Sequence, residues 1–130
     1  NPIPLIKVVG SDISESIIEF ARKAIYSESA ISSIPPEYHH YCMRSKDPAR
    51  HAIRVAPEIR QYTDFRRQNL MDKHYRVKKG IHIIFCRNVL IYFNKQIQEI
   101  ILGKLVNLLA PGGFLLIGHS ESLSGIELPV

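Results

Sequence analysis

The chain has 130 residues, 45% of them hydrophobic, and a net charge of +5 from 17 Lys and Arg against 12 Asp and Glu. That length suits one domain, and the apolar content argues against disorder. No apolar run approaches the roughly 20 residues that span a bilayer, and the opening Asn1-Pro2-Ile3-Pro4 does not read as a signal peptide, so no membrane insertion is expected.

Leu5-Ile6-Lys7-Val8-Val9-Gly10 reads as a strand ending at Ser11-Asp12, followed by a helix over about Ser14 to Ile25. Ile17, Ile18, Ala21, Ala24 and Ile25 fall at helical spacing, and Asp12 with Glu15 has the spacing of a capping box. Two readings of Asp12 stand at this point. It caps the helix, which is the commoner use, or it accepts the two hydroxyls of a ribose, as an acidic residue at a strand end does in nucleotide-binding folds.

Ser27 to Pro36 is rich in turn formers, and Pro35-Pro36 opens a short helix through His40. The basic stretch 41–67 reads as a small antiparallel flap inserted into the main sheet. Its three strand candidates are Tyr41–Arg44, Ala52–Val55 and Tyr62–Arg66, interrupted by Pro48 and Pro57. Much of the basic excess lies between Arg44 and Lys79. Such a face meets nucleic acid, an acidic membrane or an acidic protein, or is merely solvated. No aromatic interleaving of the kind that stacks bases is present, so nucleic acid is not the expected partner.

Asn69-Leu70-Met71-Asp72 then leads to Ile81-His82-Ile83-Ile84-Phe85-Cys86, an apolar run suited to a buried strand of an α/β sheet. It breaks at Arg87-Asn88, where ligands bind in open α/β sheets; the bland alternative is that this pair only solvates a turn. Asn94 caps a long helix to about Leu109, with Ile97, Ile100, Ile101, Leu105 and Leu108 on one face and Pro111-Gly112-Gly113 as its stop. Phe114 to Gly118 is a further buried strand, with His119-Ser120-Glu121-Ser122 at its ligand end.

Helices alternating with strands make α/β the expected class. Cys42 and Cys86 lie far apart without metal-ligand spacing and read as free thiols in a reducing compartment, the cytoplasm. Cys86 is expected to pack rather than to react. His119, Ser120 and Glu121 are adjacent and cannot converge as a hydrolase triad. No nucleophile elbow, phosphate loop or G-x-G-x-x-G is present, and the scattered histidines do not suggest a metal.

Taken in order, Gly10-Ser11-Asp12-Ile13-Ser14, Asn69-Leu70, Ile84-Phe85-Cys86-Arg87-Asn88-Val89-Leu90-Ile91-Tyr92-Phe93, Leu109-Ala110-Pro111-Gly112-Gly113 and Gly118-His119-Ser120-Glu121-Ser122 resemble the CheR family of chemotaxis receptor methyltransferases. The resemblance covers essentially the whole chain. It implies a partial class I, Rossmann-like methyltransferase sheet with a small inserted antiparallel β-subdomain over 41–67. S-adenosylmethionine is the implied methyl donor and S-adenosylhomocysteine the product. Asp12 matches the residue that holds the ribose, Asn69 and Leu70 the pair at the adenine, and Arg87 and Asn88 the pair beside the transferred methyl, with Tyr92 near the active face. Arg87 and Tyr92 are the implied catalytic residues. The implied substrate is the glutamate side chains of chemoreceptors, on their acidic cytoplasmic helical bundle. A glutamate carboxylate is already ionised near neutral pH, with a reference pKa of about 4.3, so the absence of a general base is no obstacle.

Two departures from the family pattern shape the expectations. The chain begins at what would be the family's second strand and stops before its final strands, so a fragment, inactive alone, is expected. Removing a central strand leaves free edges, which favours a swapped or irregular oligomer. In addition, the loop Arg44 to Ala52 carries no glycine, unlike members whose flap binds the receptor's C-terminal peptide by strand addition, so peptide tethering is doubtful. A non-catalytic module that senses cofactor or docks a signalling partner is the alternative. A basic RNA-binding methyltransferase has only the charge behind it.

Overall fold

The computed structural model describes residues 5–119 and 121–128; the Asn1–Pro4 opening and Ser120 of the His119–Ser122 segment lie outside them. The chain divides into two units, residues 1–69 and 70–130, each described by itself.

In the first unit, β1 (Val8–Asp12) leads into α1 (Glu15–Lys23). The N-cap is Ser14, whose hydroxyl accepts the Ile17 N–H at 3.4 Å. Asp12 therefore does not cap the helix as its spacing with Glu15 suggested. Its Oδ1 accepts the Ser14 N–H at 2.8 Å, a local turn that delivers Ser14 to the cap position. The helix also ends earlier than its apolar periodicity predicts. Ala24 takes the left-handed conformation, φ 53°, and Ile25 turns away into β2 (Ile25–Ser27). Ile18 is buried beneath the helix, and Phe20 meets the Tyr26 ring edge-on at 5.6 Å.

The chain then passes through two 3-10 turns, Glu28–Ser33 and Pro36–Tyr41. It continues into β3 (Cys42–Arg44), β4 (Ala52–Val55), the single-turn helix α2 (Pro57–Arg60) and β5 (Thr63–Arg67). The antiparallel flap has the order β2-β4-β3, with Ile53 buried in its central strand. Its strands are not the three read from the sequence. Thr63–Arg67 pairs in parallel with β1, from Val8↔Thr63 to Asp12↔Arg67, and Ile25–Ser27 takes its place in the flap. In the glycine-free loop, Asp47 accepts the Ala49 N–H at 3.0 Å and His51 carries the positive φ, 42°. His is among the residues that tolerate that conformation. The Glu28 carboxylate faces both Arg44, at 3.4 Å, and the His51 ring, at 3.5 Å.

In the second unit, β6 (Ile81–Cys86) and β7 (Leu109–Ile117) pair in parallel, with α3 (Lys95–Val106) between them in sequence. Asn94 caps α3 by accepting the Ile97 N–H at 3.0 Å. The core joins Cys86, Leu90, Ile101, Leu102 and Leu105, with Leu70, Tyr75, Ile84, Phe93 and Leu115 packed against it. Ile101 and Leu102 are fully enclosed.

Two expectations are corrected here. Pro111-Gly112-Gly113 does not end the helix, which stops at Val106; it lies within β7. The register jumps from Ile81↔Leu109 to Ile83↔Phe114, so the extra residues of β7 bulge out, a place where Pro is tolerated. Nor are β6 and β7 buried on both faces. Ile84 and Cys86 point inward, whereas Phe85 and Phe114 are 68% and 67% exposed, with Ile83 and Leu116 beside them. Only the inner side of the pair meets the core that α3 builds.

Candidate functional site

Parallel strands leave their carboxyl ends on one side, and a chain that turns there can aim side chains at a ligand. In the first unit those ends carry Asp12 and, two residues beyond β5, Asn69. The Gln68 N–H donates to the Asp12 carbonyl at 2.9 Å, continuing the ladder past the last strand pair. Arg67 Nε holds the Ile13 carbonyl at 2.9 Å. Asp12 and Asn69 are both half-buried. One oxygen of the Asp12 carboxylate is committed to Ser14, and no bond among the described residues engages the other. A ribose needs an acceptor of this kind, so the residue present fits the hydroxyl pair of a nucleoside.

A shallow depression of about 300 Å³ lined by Ala21, Arg22, Arg60, Thr63, Asp64 and Phe65 lies toward the opposite end of the β1–β5 pair. Its basic groups serve the protein itself. Arg22 donates to the Phe65 carbonyl at 2.9 Å, and Arg60 to the Val55 carbonyl at 3.0 Å.

In the second unit Leu70 packs on the core, and its carbonyl accepts the Tyr75 hydroxyl at 2.6 Å. Burial, with lesser contributions from the neighbouring Cys86 and Asp72, pushes that phenol up to about 12. β6 ends at Cys86, whose thiol is pushed up to about 11 by burial and, secondarily, by the charge of Glu121. It stays protonated near neutral pH and is no nucleophile there.

The chain then exposes Arg87, turns through Asn88 at φ 58°, and forms a 3-10 turn over Leu90–Tyr92. Tyr92 is 80% exposed. Arg87, Asn88 and Tyr92 thus share one loop at the carboxyl end of β6. Gln98 of α3 secures it from the carbonyl side, donating to Leu90 O at 2.8 Å and Phe93 O at 2.9 Å. Among the described residues no three His, Cys, Asp or Glu side chains gather as a metal set.

One residue of this loop's surroundings carried no role in the sequence reading. Glu121, after β7, turns its carboxylate back onto the loop and accepts the backbone N–H groups of Asn88, Val89, Leu90 and Ile91 at 2.8 to 3.3 Å. It also accepts the Gly118 N–H at 2.5 Å. The Gly118-His119-Ser120-Glu121-Ser122 run was visible at a strand's ligand end, but nothing in it says that the carboxylate turns back onto a loop some 30 residues upstream.

Comparisons with known proteins place the chain in a family. The family model described as CheR methyltransferase, SAM binding domain, matches residues 2–129. The chain is 42% identical over 121 residues to the chemotaxis protein methyltransferase of Salmonella typhimurium, covering 92% of this chain and 42% of that protein. With the chemotaxis protein methyltransferase of Escherichia coli the identity is 41% over 122 residues, covering 93% and 43%. With chemotaxis protein methyltransferase 2 of Pseudomonas aeruginosa it is 36% over 120 residues, covering 92% and 43%. The chain therefore spans less than half the length of these relatives. S-adenosylmethionine is the methyl donor that the matched domain binds, and no described helix is long and apolar enough to cross a membrane. This chain belongs to the family of CheR methyltransferase SAM-binding domains.

Proposed function

We propose that the chain is the cofactor-binding part of an enzyme that transfers a methyl group from S-adenosylmethionine to glutamate side chains of chemotaxis receptors. The observation that carries the reading is the Asp12 carboxylate at the carboxyl end of β1, with one oxygen held by Ser14 and the other uncommitted. Because the chain spans under half the length of its relatives, turnover is assigned to a protein of their length, and the chain alone is taken to bind without catalysing. Tethering of a receptor tail is not included, since the flap loop lacks glycine.

The bound cofactor supplies an electrophilic methyl on a sulfonium. Asp12 accepts the ribose hydroxyls, and Asn69 and Leu70 flank the adenine. Arg87, exposed and free of hydrogen bonds and ion pairs among the described residues, pairs with the incoming glutamate carboxylate and orients it. Asn88 borders the transferred methyl, and the Tyr92 ring offers its face to positive charge. No proton need be removed from a carboxylate that is already ionised. The catalytic contribution of these residues is placement and local field.

Calorimetric titration with S-adenosylhomocysteine tests the reading, with Asp12→Asn as the control. That variant keeps the oxygen that accepts the Ser14 N–H and removes the charge. Binding by the parent weakened at least tenfold in the variant is the expected result. Equal affinities would remove Asp12 from the site.

A further inference from the structure

The loop that carries Arg87, Asn88 and Tyr92 is built in a costly way. Asn88 sits at φ 58°, in the left-handed region that residues with a Cβ seldom adopt, though Asn does so more readily than most. The following N–H groups open a 3-10 turn and have no acceptor within it. Something must offset both. Glu121 does so with both oxygens. Oε1 accepts Val89 at 3.2 Å, Leu90 at 2.8 Å and Ile91 at 3.3 Å, while Oε2 accepts Asn88 at 3.3 Å and Gly118 at 2.5 Å. An ionised carboxylate is acceptor-only and offers about four lone-pair sites, which suits it to converging donors.

The neighbourhood is shaped around this contact. Gly118 is buried, and a Cβ there would stand 2.5 Å from Glu121 Oε2 and 2.8 Å from Asn88 Oδ1. A side chain at 118 would force the carboxylate and the loop apart. Burial works against the Glu121 charge, but the donors of Gly118, Asn88, Leu90 and Ile91 outweigh it and hold the carboxyl below its usual range. With Gln98 gripping the carbonyls of Leu90 and Phe93, the loop is fastened on both its donor and its acceptor side.

We propose that Glu121 is a positioning residue: its carboxylate holds the Asn88–Ile91 backbone and so aims Arg87, Asn88 and Tyr92 at the cofactor and the incoming carboxylate. The inference rests on the function proposed above, and adds a residue that touches no reactant.

Three versions of the full chain test it: the parent, Glu121→Gln and Leu105→Val. Glu121→Gln keeps the shape but turns an NH2 toward donors in place of one oxygen. Leu105→Val loosens the core that Leu90 of the loop shares, while leaving the Glu121 carboxylate and its backbone donors in place. Amide hydrogen exchange at Asn88, Leu90 and Ile91 should rise at least tenfold in Glu121→Gln alone, with protection in α3 retained. S-adenosylhomocysteine affinity should fall about tenfold in Glu121→Gln and stay within twofold in Leu105→Val. Unchanged exchange at the loop overturns the proposal. So does a loosened loop with unaltered affinity, or equal affinity losses in both variants, which would reduce Glu121 to general stability. Should Glu121→Gln not fold, Glu121→Asp carries the same comparison, keeping the charge and shortening the reach by one carbon. A parent chain that binds no S-adenosylhomocysteine would instead overturn the reading of the site and the aiming role with it, while the exchange data still decide what holds the loop.

Discussion

The backbone N–H of Gln68 donates to the carbonyl of Asp12 at 2.9 Å. This bond lies one step past the last strand pair, Asp12↔Arg67, and fixes where the chain leaves β5 on its way to Asn69. Asp12 and Asn69, proposed for ribose and adenine, are therefore related by the main chain of neighbouring strands.

Arg87→Ala and Tyr92→Ala, made in a protein of the relatives' length carrying this chain, are expected to lower methyl transfer at least tenfold, the second because it removes the ring face. If Arg87 pairs with the substrate carboxylate as proposed, Arg87→Ala should act mainly through the KM for that substrate. Steady-state kinetics with radiolabelled methyl donor measure both. Full activity in either variant would remove that residue from the mechanism.

The two thiols should behave differently. Cys42 is half-exposed and Cys86 is buried with its thiol raised to about 11. Iodoacetamide at pH 8 should label Cys42 and leave Cys86 unmodified, as read by peptide mass analysis. The folded state keeps the Cys86 proton to higher pH than the unfolded state does. Stability from this group is thus intact below about pH 9 and is lost as pH rises toward about 11. Cys86→Ala should flatten that alkaline decline in denaturant melts.

Within the second unit, burial decides which apolar residues matter. Leu102 is fully enclosed and Phe85 is 68% exposed. Leu102→Ala should cost about 2–5 kcal/mol, whereas Phe85→Ser should stay within about 0.5 kcal/mol. Urea titrations of the two variants make the comparison. A larger loss from Phe85→Ser would mean that its face is covered in solution.

The helix caps offer a graded pair. Asn94 accepts the Ile97 N–H at 3.0 Å and Ser14 accepts the Ile17 N–H at 3.4 Å. Replacing each by Ala should cost about 1 kcal/mol for Asn94 and less for Ser14. A larger loss at Ser14 would show that the second contact of its hydroxyl, to Ser16 Oγ at 2.9 Å, outweighs the cap.

What could be read in advance follows the range of the interactions. The Asp12 strand end, the Asn94 cap and the post-β6 position of Arg87 are local features, and local patterns state them. The end of α1 was hidden because Ala24 and Ile25 continue the helical apolar spacing, and a single left-handed residue breaks it. β5 was grouped with the flap because a parallel partner lies about 55 residues back, at Val8↔Thr63, which no short-range pattern encodes. Glu121 was missed for the same reason, since its donors are some 30 residues upstream. The apolar run of β6 told of a strand but not of which face would be covered.

The flap lies wholly inside the connection between β1 and β5, and this nesting bears on the order in which the first unit assembles. Pairing β1 with β5 directly would close a loop of about 50 residues. Pairing Ile25 with Arg54 first removes the span between them and more than halves what remains. At about 0.6 kcal/mol per doubling of loop length, the later closure becomes easier by about that amount. Loop entropy therefore favours an order in which the flap pairs first and the strand pair that presents Asp12 closes behind it.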